Sequence, residues 1–350
     1  MSNKSRTASG LSNVVNLGVN LALAITLVIA TACSREKETS TQEWNDFVQT
    51  NDAHLPDLSQ KTKDIADCET KIPALLCLVD PMSSPGSTTK ARECLPGGET
   101  YKDSVLKIYR ALPGQFQTMF CSLQVVYIEK QTVSIAYAGQ ASKAGGGRAN
   151  FIGIRQSILE HDLDLGDVLS WKEQKLFGAT ADAYETDSHL AFIEAVGPKP
   201  SISPLLTYVL LHEMGHLFDY NNGLTRNGWA AGDFSSDGKA SRQSPIAKYR
   251  NSICFYLCPN VPMQPADATE FYSLLKQSSF LTAYSVVSPM ENFAEATANY
   301  FLKSVYGLHL AVRLEGSEIY DIGAKYDSPD YAKSKSAVEA FYAGSINDSN

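Results

Sequence analysis

The residues with the clearest chemical potential lie at 210–220, in the stretch LLHEMGHLFDY. His212 and His216 are four residues apart, so on a helix they project from one face and can bind one metal ion together. Glu213 lies near that face and can accept a proton from a water molecule that the metal activates. The pattern is typical of a metal-dependent hydrolase, but on these residues alone a buried helix that merely carries two histidines is an equal alternative.

A catalytic zinc ion normally takes three protein ligands and keeps a fourth position for water. Residues 280–302, FLTAYSVVSPMENFAEATANYFL, offer candidates for the third ligand. Glu291 and Glu295 are four apart, so one could bind the ion while the other orients a ligand histidine. Ser288 and Glu291 also match a capping box, which would occupy Glu291 at a helix end. The residues alone therefore leave either glutamate as the ligand.

Both blocks need helices to position them. Ser203 and Pro204 form a typical helix start, and Asn222 with Gly223 can end the helix in a left-handed turn. This predicts a helix of about five turns that carries His212 and His216. A second helix is expected to begin at Ser288, followed by proline.

Strand-like runs rich in Val, Ile, Tyr and Phe occur at 123–129, 132–139, 150–159 and 189–196. They predict an α+β fold, in which one twisted sheet over about 123–196 packs on the two metal-bearing helices. The stretch NFIGIRQSI at 150–158 is expected to be an edge strand that aligns a substrate by main-chain pairing. Substitution of Arg148 and Phe151 would test that role.

The first residues have the layout of an export signal. Lys4 and Arg6 precede an apolar run over about 14–30, and ATAC at 30–33 resembles a bacterial lipobox. We expect a signal peptide over 1–32, lipidation of Cys33 and a polar tether over 33–65. The protein would then be anchored to a bacterial membrane, at its periplasmic face or the cell surface. Cleavage near Ala32 without lipidation is the alternative.

The remaining cysteines agree with export, because an even number in an oxidising compartment indicates up to three disulfides. The candidates are Cys68, Cys77, Cys94, Cys121, Cys254 and Cys258. Residues 66–122 hold four of them and are read as a small subdomain or as an N-terminal elaboration of the main domain, 123–350. The net charge of −8, without a basic run in the main domain, disfavours nucleic acid as a partner.

The combination of HExGHxxD at 212–219, LTxY at 281–284 and ExFAEA at 291–296 resembles the catalytic domain of anthrax lethal factor and its relatives, which include the Pro-Pro endopeptidases. These are zinc metallopeptidases of the gluzincin type. The resemblance implies a zincin-like fold, one Zn²⁺ ion and a protein or peptide substrate. It makes His212, His216 and Glu291 the ligands, Glu213 the general base and Tyr284 the donor to the oxyanion. Glu295 and Asp219 would contact the ligand residues without binding the ion themselves.

One departure limits what the resemblance implies. Between His216 and Glu291 lie 74 residues, more than it suggests, and an insert over about 223–265 carries Cys254 and Cys258. The insert could form a flap over the cleft, so substrate specificity is not implied. Two rival functions stay open: a catalytically silent binding lipoprotein with the same fold, and an amide hydrolase that acts on cell-wall peptides.

Overall fold

The computed structural model describes residues 55–80, 92–130, 134–143, 145–161, 163–177, 191–198, 202–253, 255, 262–314 and 317–347. The predicted signal peptide, Cys33 and most of the tether lie outside this part of the chain, as do Cys254 and Cys258. Across the described residues, no helix has both the length and the apolar character needed to cross a membrane.

The fold is mixed α and β, as predicted, but the described residues form two sheets rather than one. The first sheet has strands β1 (Leu76–Val79), β2 (Leu123–Glu129), β3 (Ala136–Ser142) and β4 (Arg148–Arg155) in the order β1-β2-β4-β3. β1, β2 and β4 are parallel, and β3 is antiparallel to β4. The predicted run at 123–129 is confirmed with the same bounds.

The prediction that NFIGIRQSI forms an edge strand is wrong. β4 pairs with β2 on one side and with β3 on the other, and residues 156–160 leave the sheet as a short helix. Phe151 is fully buried, while Arg148 bonds to Gln140 and to the main chain of α7 (Pro204–Asn222). A near-continuous apolar run is typical of a strand that is covered on both faces, which is the position that β4 takes.

The second sheet corrects another expectation. β5 (Ala191–Val196) pairs antiparallel with β6 (His309–Leu314), and β6 pairs antiparallel with β7 (Ser317–Asp321). The predicted strand at 189–196 therefore does not belong to the sheet that contains 123–129. Its partner comes much later in the chain, and a local pattern carries no information about such a partner.

Helices fill the remaining layers. Besides α7 they are α1 (Ser59–Thr62), α2 (Cys68–Leu75), α3 (Lys102–Ala111), α4 (Gly114–Cys121), α5 (Gln156–Glu160), α6 (Leu165–Leu176), α8 (Ala268–Lys276), α9 (Pro289–Tyr306), α10 (Ile322–Tyr326) and α11 (Ala332–Asn347). Single 3₁₀ turns occur at Gly98–Tyr101, Pro245–Tyr249, Pro265–Asp267, Tyr284–Val286 and Pro329–Tyr331.

The cysteine-rich segment is built into the main body. Disulfides join Cys68 to Cys121 and Cys77 to Cys94. Cys77 lies in β1, which pairs with β2, so residues 66–122 contribute a strand to the first sheet. The described residues, from Leu55 onward, also belong to one compact unit. Of the two readings for 66–122, the structure favours an elaboration of the main domain.

The caps predicted for α7 and α9 are confirmed. Ser203 accepts the N–H of Leu206, and Gly223 ends α7 in the left-handed conformation with a φ of 64°. Ser288 accepts the N–H of Glu291 at 3.2 Å. Each helix therefore begins and ends where its local sequence satisfies the free main-chain groups.

Close packing of α7 on α9 fixes the centre of the fold. The two helices meet at Gly215, where an added Cβ would lie 3.0 Å from the Cα of Ala294 and 3.2 Å from the Cβ of Thr297. Beside this contact an aromatic cluster joins α4, α7, α9 and α11, with ring centroids 4.7 Å apart for Phe116 and Phe301 and 5.3 Å apart for Phe218 and Tyr342. The helices therefore have little freedom to separate or slide.

We expect Gly215→Ala to force α7 and α9 apart, because backbone atoms of a buried helix occupy the space that the new methyl group needs. The free energy of unfolding, measured in urea, should fall by about 1–3 kcal/mol. Gly344 lies in a helix with nothing near the position of a Cβ. The control Gly344→Ala should therefore gain up to about 1 kcal/mol. Equal gains in both variants would contradict this account of the helix contact.

Candidate metal centre

His212 and His216 lie one turn apart on α7, and their rings face the start of α9. Both side chains are buried, and their ring centroids are 5.0 Å apart. α7 is apolar on most of its circumference, so the whole helix is embedded and its histidines cannot turn to solvent. The two imidazoles are thus held beside each other in the interior.

Glu291 completes a group of three. Its Oε2 lies 3.1 Å from Nε2 of His212 and 3.4 Å from Nε2 of His216. The cap at Ser288 uses the main-chain N–H of Glu291, so the carboxylate stays free to reach the histidines. Glu291 can therefore serve both the cap and the site, because its main-chain N–H belongs to the cap and its carboxylate lies beside both imidazoles.

The three side chains could hold a metal ion, because their ligand atoms all lie within 4.8 Å of one another. Ligands of a tetrahedral ion with bonds of about 2.0–2.1 Å are separated by roughly 3.3–3.4 Å. The separations of 3.1 and 3.4 Å between Oε2 of Glu291 and the two imidazole nitrogens match that spacing. Two imidazoles and a carboxylate are also common ligands of divalent transition metals.

Glu295 supports His212 from the side opposite to Glu291. Its Oε1 lies 3.0 Å from Nδ1 of His212, although the ring does not point straight at it. The same carboxylate accepts hydrogen bonds from Tyr208 at 2.6 Å and from Thr282 at 2.7 Å. A proton on Nδ1 would face Glu295, which leaves Nε2 of His212 available to an ion.

Charge is unevenly distributed in this site. Burial alone would lower the pKa of His212, but the hydrogen bonds and charges of Glu291 and Glu295 raise it to about 10. Burial alone would raise the pKa of Glu291, yet His216 and His212 hold it well below its usual range. The carboxylates thus stay ionised and hold positive charge between them, which is the electrostatic environment that a cation needs.

Glu213 lies beside the ligand group without belonging to it. It is buried on α7 and lines a cavity together with His212 and Tyr284. Burial raises the pKa of Glu213, while the charges of His212 and His216 oppose that increase. A carboxylate whose pKa is raised toward neutrality is well suited to accept and return a proton.

Tyr284 lies in the 3₁₀ turn that precedes α9. Its ring centroid is 5.8 Å from that of His212 and 4.9 Å from that of Phe255, and Nζ of Lys172 lies 3.0 Å from the ring centroid. The structure therefore brings Tyr284 to the cavity of Glu213, as the sequence motif predicts. Phe255, from the insert, reaches the same place.

The expectation that Asp219 supports a ligand histidine is wrong. Its carboxylate accepts the main-chain N–H of Thr225 at 2.8 Å and the hydroxyl of Thr225 at 2.7 Å. Nδ1 of His216 is buried and has no hydrogen-bond partner within the described ranges. Asp219 therefore fixes the start of the insert to the end of α7.

The insert is also tied to α9. The indole N–H of Trp229 donates to Oδ1 of Asn292 at 2.9 Å, and its ring packs edge-on against Phe293 at 5.0 Å. Asn292 is buried and directly follows Glu291. The contacts of Trp229 therefore hold the first turn of α9, where Glu291 must point at the histidines.

Sequence reasoning missed three residues around the site: Tyr208, Thr282 and Lys172. Tyr208 precedes His212 by four residues, so helical spacing could have identified it. Thr282 is part of the LTxY motif, but the motif assigns a role only to Tyr284. Lys172 lies on α6 in a segment without a motif, and no local signal connects it to the metal-bearing helices.

Comparisons with models of protein families, with curated proteins and with solved structures found no match to this chain.

We expect Trp229→Phe to weaken metal binding by about tenfold, because it leaves Oδ1 of Asn292 without a donor next to Glu291 while keeping a ring against Phe293. Zinc affinity, measured by competition with a chromophoric chelator, tests this. Glu291→Ala, which removes a ligand, sets the lower limit.

Tyr306→Phe is the matched control, because it removes a hydrogen bond to Ala111 from the far end of the same helix. Its zinc affinity should equal that of the wild type. If Trp229→Phe also bound zinc with unchanged affinity, the contact with Asn292 would have no role in placing Glu291.

Proposed function

We propose that this protein is a zinc-dependent endopeptidase. One observation carries the proposal: the ligand atoms of His212, His216 and Glu291 are spaced for a single ion, and Glu213 and Tyr284 face a cavity beside that group. The resemblance to the lethal factor family leads to the same residues from the sequence. Its zincin-like fold also belongs to the proposal, supported by the antiparallel β3 lying against α7.

Zinc is the ion that fits this donor set best. Catalytic zinc sites commonly use two histidines and a glutamate and leave one position open. Bound there, zinc would polarise the scissile carbonyl group and lower the pKa of water. His212, His216 and Glu291 would hold it, and Glu295 would keep His212 in the tautomer that binds through Nε2.

The other side chains can then share the work of hydrolysis. Glu213 accepts a proton from the attacking water and returns it to the leaving amine. The Tyr284 phenol donates a hydrogen bond to the carbonyl oxygen as negative charge develops there. Because His212 and Glu213 are buried, interactions with them are stronger than they would be at the surface.

β3 is the candidate for substrate alignment. It is an edge strand of the described sheet, and the cavity is lined by Ser134 and Ile135 just before it and by Ala136 at its start. An extended peptide that paired with its open edge would run past Glu213 and the metal-binding group. This position replaces the one expected for β4.

We expect main-chain methylation of a cleaved peptide to slow its hydrolysis in an alternating pattern, because only every second N–H of an extended strand faces its neighbour. Each methyl group that removes a pairing N–H should lower kcat/KM by about tenfold. The measurement is a series of peptides methylated at one amide each. Uniform effects along the series would count against pairing with β3.

The decisive experiment compares the wild type with Glu213→Gln. We expect both proteins to bind one zinc ion, because Glu213 is not a ligand, and only the wild type to cleave a mixed peptide library. Removal of a general base should lower activity by at least about 10²-fold. Metal analysis and mass spectrometry of the library provide the two readouts.

His309→Asn serves as a control, because this histidine lies outside the metal-binding group and pairs with Asp321. Its zinc content and cleavage should match those of the wild type. Bound zinc without cleavage that depends on Glu213 would instead favour the binding lipoprotein, and cleavage confined to cell-wall peptides would favour the amide hydrolase.

A further inference from the structure

Lys172 places a positive charge in the cavity of the proposed active site. It projects from α6 and lines the cavity together with His212, Glu213 and Tyr284. Its Nζ lies 3.0 Å from the ring centroid of Tyr284 and 6.0 Å from that of Phe255. Neither the motifs nor the hydrolytic mechanism above assigns Lys172 a role.

The structure fixes the helix turns on both sides of Lys172. Ser170, two residues earlier, accepts the main-chain N–H of Ile193 in β5 at 2.6 Å. Glu173, the next residue, accepts a hydrogen bond from the buried hydroxyl of Tyr272 on α8. α6 is therefore attached to both a strand and a helix, and Lys172 cannot leave the cavity by a rotation of α6.

Carboxylates surround the ammonium group of Lys172. Burial lowers the pKa of Lys172 below its usual value, and the charges of Glu295, Glu291, Glu213 and Glu173 limit that decrease. The face of the Tyr284 ring also attracts a cation. Lys172 thus contributes a positive charge at a place where three functional carboxylates would otherwise dominate.

A simple charge count shows why this matters for hydrolysis. A divalent ion with two neutral histidines and Glu291 carries one net positive charge, and Glu213 and Glu295 together bring the site to one net negative charge. Attack of water on a carbonyl group moves negative charge from Glu213, which accepts the proton, to the carbonyl oxygen, and a charge without a partner there is unfavourable in a buried site. Lys172 restores neutrality before the reaction begins.

We propose that Lys172 is the fixed positive charge of the oxyanion pocket, where its ammonium group acts beside the Tyr284 phenol on the negative charge of the carbonyl oxygen. This inference rests on the proposed function. It predicts that the metal-loaded site prefers a tetrahedral anion over a neutral ligand, and that the preference depends on Lys172. A lysine that only neutralises Glu213 and Glu295 would not produce that preference.

The test uses the zinc-loaded protein and two small probes, because the natural substrate is not needed. Inorganic phosphate is a tetrahedral anion, and imidazole is a neutral metal ligand. We expect Lys172→Met to weaken phosphate binding by about tenfold or more in calorimetric titrations, while imidazole affinity changes less than about twofold. Lys172→Arg should restore most of the phosphate affinity.

Zinc content is measured first for every variant. Loss of Lys172 should not weaken zinc binding, because it removes a neighbouring positive charge from the cation site. Lys107→Met provides the matched control, since Lys107 is exposed on α3 and its loss changes the net charge by the same amount. Its affinity for both probes should equal that of the wild type. If Lys172→Met does not fold, Lys172→Gln removes the charge with a polar side chain.

The steady-state constants kcat and KM give a second readout once a cleaved peptide has been identified. We expect Lys172→Met to lower kcat by about 10²-fold with little change in KM, because the charge acts on the transition state rather than on the bound substrate. Lys172→Arg should recover most of kcat. A general loss of packing would not be reversed by arginine.

Several outcomes would overturn the proposal. They are phosphate affinity that is equal in the wild type and Lys172→Met, parallel loss of phosphate and imidazole, and a wild type that binds imidazole but not phosphate. A selective loss for peptides with an acidic residue would make Lys172 a specificity residue instead. If the wild type bound no zinc, the proposed function would fail first, and that result is distinct from the others.

Discussion

The site depends on one steric constraint, the close approach of α7 and α9 at Gly215. The position of a Cβ there lies only 3.0 Å from the Cα of Ala294, so a larger residue would have to displace one of the two helices. This contact puts Glu291, on the first turn of α9, within 3.1 and 3.4 Å of the two histidines. A shift of one ångström between the helices would exceed what metal–ligand bonds tolerate.

Electrostatics adds a second condition to this packing. Glu213 and Glu295 are buried on facing helices with Glu291 beside them, and buried carboxylates are costly unless they have partners. Glu295 is satisfied by Tyr208, Thr282 and the neighbouring His212. Among the described residues no hydrogen-bond donor to the carboxylate of Glu213 is found, and the charges of His212, His216 and Lys172 oppose the effect of burial on its pKa. The buried carboxylates therefore keep negative charge that their hydrogen bonds alone do not neutralise, and this charge attracts cations.

The residues that could be predicted from the sequence are those whose positions follow from local rules. Helical spacing and caps place His212, Glu213 and His216 on α7 and Glu291 on α9, and these elements agree with the structure. The order of strands around β4, the separate sheet of β5 and the partner of Asp219 depend on pairing between distant segments, which local patterns do not encode. The position of Lys172 could not be predicted for the same reason, because only tertiary packing brings α6 to the cavity.

The long insert between the two motifs is attached to the rest of the structure through three contacts. Thr225 binds Asp219 one turn beyond His216, Trp229 binds Asn292 beside Glu291, and Phe255 packs on Tyr284. These contacts reach α7, α9 and the cavity, so the insert is attached at all three parts of the candidate site. A change in the insert would consequently shift His216 and Glu291 as well as Tyr284 in the cavity. The insert is thus part of the structure that holds His216 and Glu291 in place.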